Sequence, residues 1–138
     1  MATEQSVPKV LIFDDFIDPI YRELAQEGAE AAEWEPHVFD DPDDAFSEFN
    51  VSFGALVTAL GTSRGILNIL RGNFPSRTLV ASSDELHIPR AIMSGHPWAQ
   101  DFVREDSLDI LIPKGRAEEI PDAVSGWLRR IARSVDVS

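Results

Sequence analysis

Two adjacent carboxylates, Asp14 and Asp15, follow directly on the apolar run Val10-Leu11-Ile12-Phe13. Carboxylates this close repel, and each raises the other's pKa unless a cation such as Mg2+ or a lysine ammonium sits with them. The pair is therefore either the start of an ion site or a solvated loop that carries two acids. A second stretch with chemical capacity is the turn Gly61-Thr62-Ser63-Arg64-Gly65. Amides exposed by a glycine-rich turn entering a helix can hold an anion, and Arg64 would add charge. Its spacing matches no phosphate-binding loop or dinucleotide fingerprint, so an ordinary tight turn is the simpler account. The histidines, His37, His87 and His96, are scattered and show no metal spacing.

Positioning the acid pair is the task of the elements around it. Four apolar residues in a row read as a strand buried on both faces, as in a parallel sheet covered by helices. Its carboxyl end is where α/β proteins place ligand sites. Asp18 and Pro19 then mark a helix start, with Ile20, Leu24 and Ala31 on one stripe of a helix reaching about Glu33. Pro36 to Phe39 is a short strand. Asp41-Pro42 repeats the cap-plus-proline device before a helix whose Ala45, Phe46 and Phe49 are expected to face inward, and the acids there suit its positive end. Ala55 to Leu60 is an apolar, central strand, followed by the glycine turn and a helix from Ile66 to about Arg71. Thr78-Leu79-Val80-Ala81-Ser82 reads as the fourth strand. Pro89, Gly95 and Pro97 break the next segment into two short helices, near Arg90–Met93 and Trp98–Val103. Asp109 to Pro113 is the fifth strand, and Glu118 to about Arg133 a last helix on which Ile120, Val124, Trp127, Leu128 and Ile131 keep the helical period. Strands alternating with helices predict a five-stranded, doubly wound parallel α/β sheet.

At 138 residues with 43% hydrophobic content, the chain fits one domain, 1–138, with its core at about 9–133. There is no cysteine, hence no disulfide and no thiolate chemistry. The opening residues lack an apolar core of the signal-peptide kind, and no apolar run approaches membrane-spanning length, so a cytoplasmic protein is expected. Twenty-four acids against 12 bases give a net charge of −12. Such a field repels nucleic acid and anionic lipid and favours a basic protein partner.

The residues resemble the receiver domain of bacterial two-component response regulators, of flavodoxin-like fold, over roughly Lys9 to Arg133. Asp14-Asp15 stands where receivers carry their Mg2+-binding acids. Leu79-Val80-Ala81-Ser82 resembles the fourth strand, which would make Ser82 the switch hydroxyl. Ile110-Leu111-Ile112-Pro113-Lys114 resembles the fifth strand with its lysine, although Gly115 replaces the proline usual after that lysine. The departure matters more. The third strand should end in the aspartate that accepts phosphate, and this chain offers Ala59 there, or Thr58 if the register slips by one. Neither can act as the carboxylate nucleophile that phosphoryl transfer to a receiver needs.

The resemblance therefore implies an atypical, non-enzymatic signalling module that acts by protein contact, including a homodimer through the face built by the fourth helix, fifth strand and fifth helix. Lys114 is expected to swing onto Asp14 or Asp15 as a permanent ion pair. No cofactor is required, and Mg2+ at Asp14 and Asp15 is expected to bind weakly for want of a third acid. Two alternatives use the same strand-end crevice. Val10 to Asp14 also looks like the first motif of haloacid-dehalogenase-type phosphatases, but Phe16 stands where that family needs a second aspartate. The other is a sensor of small molecules or anions.

Overall fold

The computed structural model describes residues 7–61 and 73–137. Five strands form one parallel sheet in the order β2-β1-β3-β4-β5. They are β1 (Lys9–Phe13), β2 (Glu35–Phe39), β3 (Phe53–Ala59), β4 (Arg90–Ser94) and β5 (Ile110–Pro113). Four α-helices flank the sheet among the described residues: α1 (Ile20–Ala31), α2 (Pro42–Glu48), α3 (Arg77–Leu86) and α4 (Ile120–Val137). Short 3-10 turns occupy Pro97–Phe102 and Lys114–Glu119. The helix expected over 66–71 lies outside the described residues.

Burial on both faces explains the unbroken apolar runs. Val10, Ile12, Ala55 and Val57 pack beneath α1 and α4, against Ala25, Ala29, Val124, Trp127 and Leu128. Leu11, Phe13 and Leu56 face the other way, toward Ala45 of α2 and Leu79 of α3. The stripe expected on the last helix is the buried face of α4. That helix comes so close to α1 that a Cβ on Gly28 would stand 2.5 Å from the Pro121 carbonyl oxygen. Only glycine fits there. Capping follows the sequence at α2, where Asp41 Oδ1 accepts the Asp43 and Asp44 amides at 2.9 and 3.0 Å. Asp18 Oδ1 accepts the Ile20 amide at 3.1 Å and so supports the start of α1.

Three expectations are corrected. Residues 78–82 are not the fourth strand but part of α3, with Leu79, Val80 and Ser83 on its buried side. The fourth strand is Arg90–Ser94, where a short helix was expected. Phe46 does not face inward; it is 46% exposed on α2.

What lets a strand begin with a buried arginine is a polar network at the sheet's amino edge. Arg90 is 4% exposed. Its guanidinium donates to the Phe102 carbonyl at 2.8 Å, to Ser83 Oγ at 2.8 Å and to Asp84 Oδ1 at 2.6 Å. Its amide donates to Asp109 Oδ1 at 3.0 Å. Arg104 brackets the same carboxylate, with Nε 2.7 Å from Oδ2 and Nη2 2.9 Å from Oδ1. Burial alone would push the Asp109 carboxyl up. The Arg104 hydrogen bond, the Arg90 and Arg104 amides and the Arg104 charge outweigh it and hold Asp109 below the usual carboxylate range. The hydrogen bond to Asp109 in turn holds Arg104 above its ordinary value, against the effect of burial.

Candidate functional site

The parallel register delivers four sequence-distant residues to one edge. Phe13 pairs with Thr58, Ala59 with Met93, and Ser94 with Pro113. Asp14 and Lys114 each lie one residue past a strand end, so Asp14, Ala59, Ser94 and Lys114 share the carboxyl edge of the sheet.

Asp14 is buried, and each of its oxygens has a distinct partner. Oδ1 accepts the Phe16 amide at 2.8 Å. Oδ2 faces Lys114 Nζ at 2.7 Å, with side-chain exposures of 1% and 19%. The angle of that approach is poor for a hydrogen bond, so the attraction is Coulombic. The ammonium also stands 4.4 Å from the Tyr21 ring centroid and 5.7 Å from that of Phe16. Aromatic faces attract a cation, more so where water is partly excluded. The rings meet edge to face at 5.4 Å. Arg22 completes the shell: its Nη1 donates to the carbonyls of Asp14 at 2.6 Å and Phe16 at 2.9 Å, which fixes the chain as it leaves β1. Asp15 is half-buried beside this pair.

Ala59 is 2% exposed and presents only a methyl group to the edge. Neighbouring Thr58 is fully buried, its hydroxyl donating to the Ala59 carbonyl at 2.7 Å. The chain then turns at Gly61, whose φ of 101° is unfavourable for any residue with a side chain. Thr62, Ser63, Arg64 and Gly65 lie outside the described residues. Beyond them, the amide and hydroxyl of Ser76 both donate to the Leu60 carbonyl at 3.2 Å, tying the start of α3 to the end of β3.

Ser82 is not at this edge. It lies within α3, and the hydroxyl that ends the fourth strand is Ser94, 8% exposed, which accepts the His96 amide at 3.0 Å. Sequence reasoning missed Ser94 and the ring pair around Lys114. The signal for the former was an apolar Ala91-Ile92-Met93 run ending in a hydroxyl before Gly95.

The donor set does not fit a tight Mg2+ site. Mg2+ requires near-octahedral oxygen coordination, and here both Asp14 oxygens are engaged while the third strand supplies no carboxylate. Among the described residues, no three His, Asp or Glu side chains are grouped to hold a metal ion. A cleft of about 330 Å³ lined by His87, Pro89, Arg104, Ser107 and Asp109 lies at the other end of the sheet. No described helix is long and apolar enough to cross a membrane.

Neither a family model nor a curated protein sequence matches the chain. Solved structures do. The Vibrio cholerae chemotaxis response regulator CheY4 is similar at TM-score 0.62 and 14% identity, over 91% of this chain and 99% of its own. The signal receiver domain of a LuxO repressor protein from Vibrio parahaemolyticus matches at 0.63 and 13%, over 96% and 98%. A response regulator receiver domain protein from Clostridium thermocellum matches at 0.60 and 16%, over 96% and 100%. The chain has the receiver-domain fold.

Proposed function

We propose that this protein is a receiver-like, non-enzymatic signalling domain that works by binding a protein, without phosphorylation of an aspartate. The observation that carries the reading is Ala59, buried at the end of β3 where a receiver keeps its acceptor. A methyl group cannot attack phosphorus, and the strand-end hydroxyls, Thr58 and Ser94, are engaged with backbone groups. Asp14 and Asp15 are a vestigial Mg2+ pair that binds the ion weakly, and Lys114 takes the cation's place by its contact with Asp14. Ser94, in place of Ser82, holds the switch position. A strand-end pocket already closed by its own ion pair leaves contact as the means of signalling.

Two experiments test this. Beryllofluoride with Mg2+ is expected to leave the melting temperature unchanged, because the adduct needs an aspartate acceptor; a saturable rise would overturn the reading. Ala59→Asp is expected to add a third carboxylate beside Asp14. In metal-free buffer it should melt lower than the parent through like-charge repulsion and regain stability as Mg2+ is added. Thermal melts with and without Mg2+ decide it, and an Ala59→Asp protein indifferent to the ion would contradict the assignment of Ala59.

A further inference from the structure

The charge of this protein is not spread over its surface. Residues 14–48 hold 13 of the 24 acids and one of the 12 bases, Arg22; the remainder holds 11 of each. The whole net charge of −12 therefore belongs to about a quarter of the chain, the segment that forms α1, the edge strand β2 and α2. Arg22 is turned inward onto the Asp14 and Phe16 carbonyls. Among the described residues, Asp18, Asp40, Asp41, Asp43 and Asp44 have no lysine or arginine at ion-pair distance.

At the carboxyl edge the connections after β1 and β2 run side by side, joined by the Asp14 amide on the Phe39 carbonyl at 3.2 Å. This rim also exposes large apolar side chains: Ile17 is 94% exposed and Phe16 44% on the first connection, Ile20 42% at the start of α1, and Phe46 46% on α2. Large apolar side chains exposed on adjoining segments offer a seat to an apolar partner, and the carboxylates beside them set the charge that partner must carry. Strand addition at β2 does not suit it. The Glu35 amide and Phe39 carbonyl both bond toward β1, so Pro36 and Val38 face outward, and Pro36 has no N–H to give.

We infer that the rim formed by residues 15–20 and 40–46 is a docking surface for a lysine- or arginine-rich amphipathic protein segment, its apolar side chains seated on Ile17 and Phe16 and its cations on the flanking carboxylates. The inference rests on the reading that the domain works by contact. Charge complementarity selects the partner: the same field repels nucleic acid and anionic membranes.

The test titrates the 15N-labelled full chain with two synthetic helical peptides of equal positive charge, one carrying lysine and leucine, the other serine at every leucine. Expected are saturable amide shifts centred on 15–20 and 40–46, with the leucine peptide about tenfold tighter. Ile17→Ser should abolish that preference without altering the melt, since Ile17 is exposed. Equal affinity for both peptides, shifts centred on another face, or the same amides saturating with Mg2+ alone would each overturn the inference. An absence of shifts removes the rim and leaves the contact reading standing, whereas a beryllofluoride response overturns phosphorylation independence alone and has no bearing on where the peptide binds.

Discussion

Asp109→Ala is expected to lower stability by about 3–5 kcal/mol, a fall of roughly 10–20 °C in melting temperature. The Asp109 side chain is fully buried and receives the Arg104 guanidinium and two backbone amides. Its removal leaves the buried Arg90 amide without its acceptor and takes from Arg104 the carboxylate that two of its guanidinium nitrogens grip, so that Arg104 keeps only Asp84 and the Ser83 and Ile88 carbonyls. The change should loosen the amino ends of β4 and β5 and leave the Asp14 pocket intact. Thermal and denaturant melts measure it, and a loss below about 1 kcal/mol would mean that the network is solvated. The acid limb follows from the same residue. Because the folded Asp109 pKa is lowered, its contribution is present above the unfolded carboxylate pKa and fades as pH falls through the folded value. Asp109→Ala should therefore unfold with a shallower acid dependence than the parent. The raised Arg104 value adds stability that is lost only at strongly alkaline pH, outside the working range.

Lys114→Met is expected to be the second largest effect, about 2–3 kcal/mol, since it leaves the Asp14 carboxylate buried without its cation. The aliphatic stem of methionine keeps most of the packing against Tyr21 and Phe16, so the loss reports the charge. A double-mutant cycle with Asp14→Asn separates the pair from its surroundings. The double variant should be more stable than Lys114→Met alone, because the uncompensated carboxylate is then gone. Additive losses would show that Lys114 and Asp14 do not act together.

The parts legible in the sequence were those set by local pattern. The unbroken apolar residues of β1, β3 and β5 announce strands covered on both faces, and the Asp41-Pro42 start and the period of α4 are local signals too. The acid pair and Lys114 could be placed because they sit directly beyond such strands. The fourth strand could not. Leu79-Val80-Ala81 is an apolar run between Thr78 and Ser82 that follows a proline break, which suits a short strand, yet Leu79, Val80 and Ser83 recur at helical spacing. Arg90-Ala91-Ile92-Met93 has helix-favouring composition and begins with a charge. It sits as a strand because Asp84 bonds that charge and Asp109, 19 residues away, accepts the Arg90 amide, and no local window contains that information. The misplaced strand carried Ser82 into the site and hid Ser94.

Lys114 holds Asp14 and the third strand ends in Ala59, the two features on which the proposed phosphorylation-independent function rests. Its most direct test is the intact mass of the wild-type chain during incubation with acetyl phosphate and Mg2+. The account predicts a mass that stays unmodified throughout. A phosphoryl adduct that hydroxylamine removes, the signature of an acyl phosphate, would contradict it.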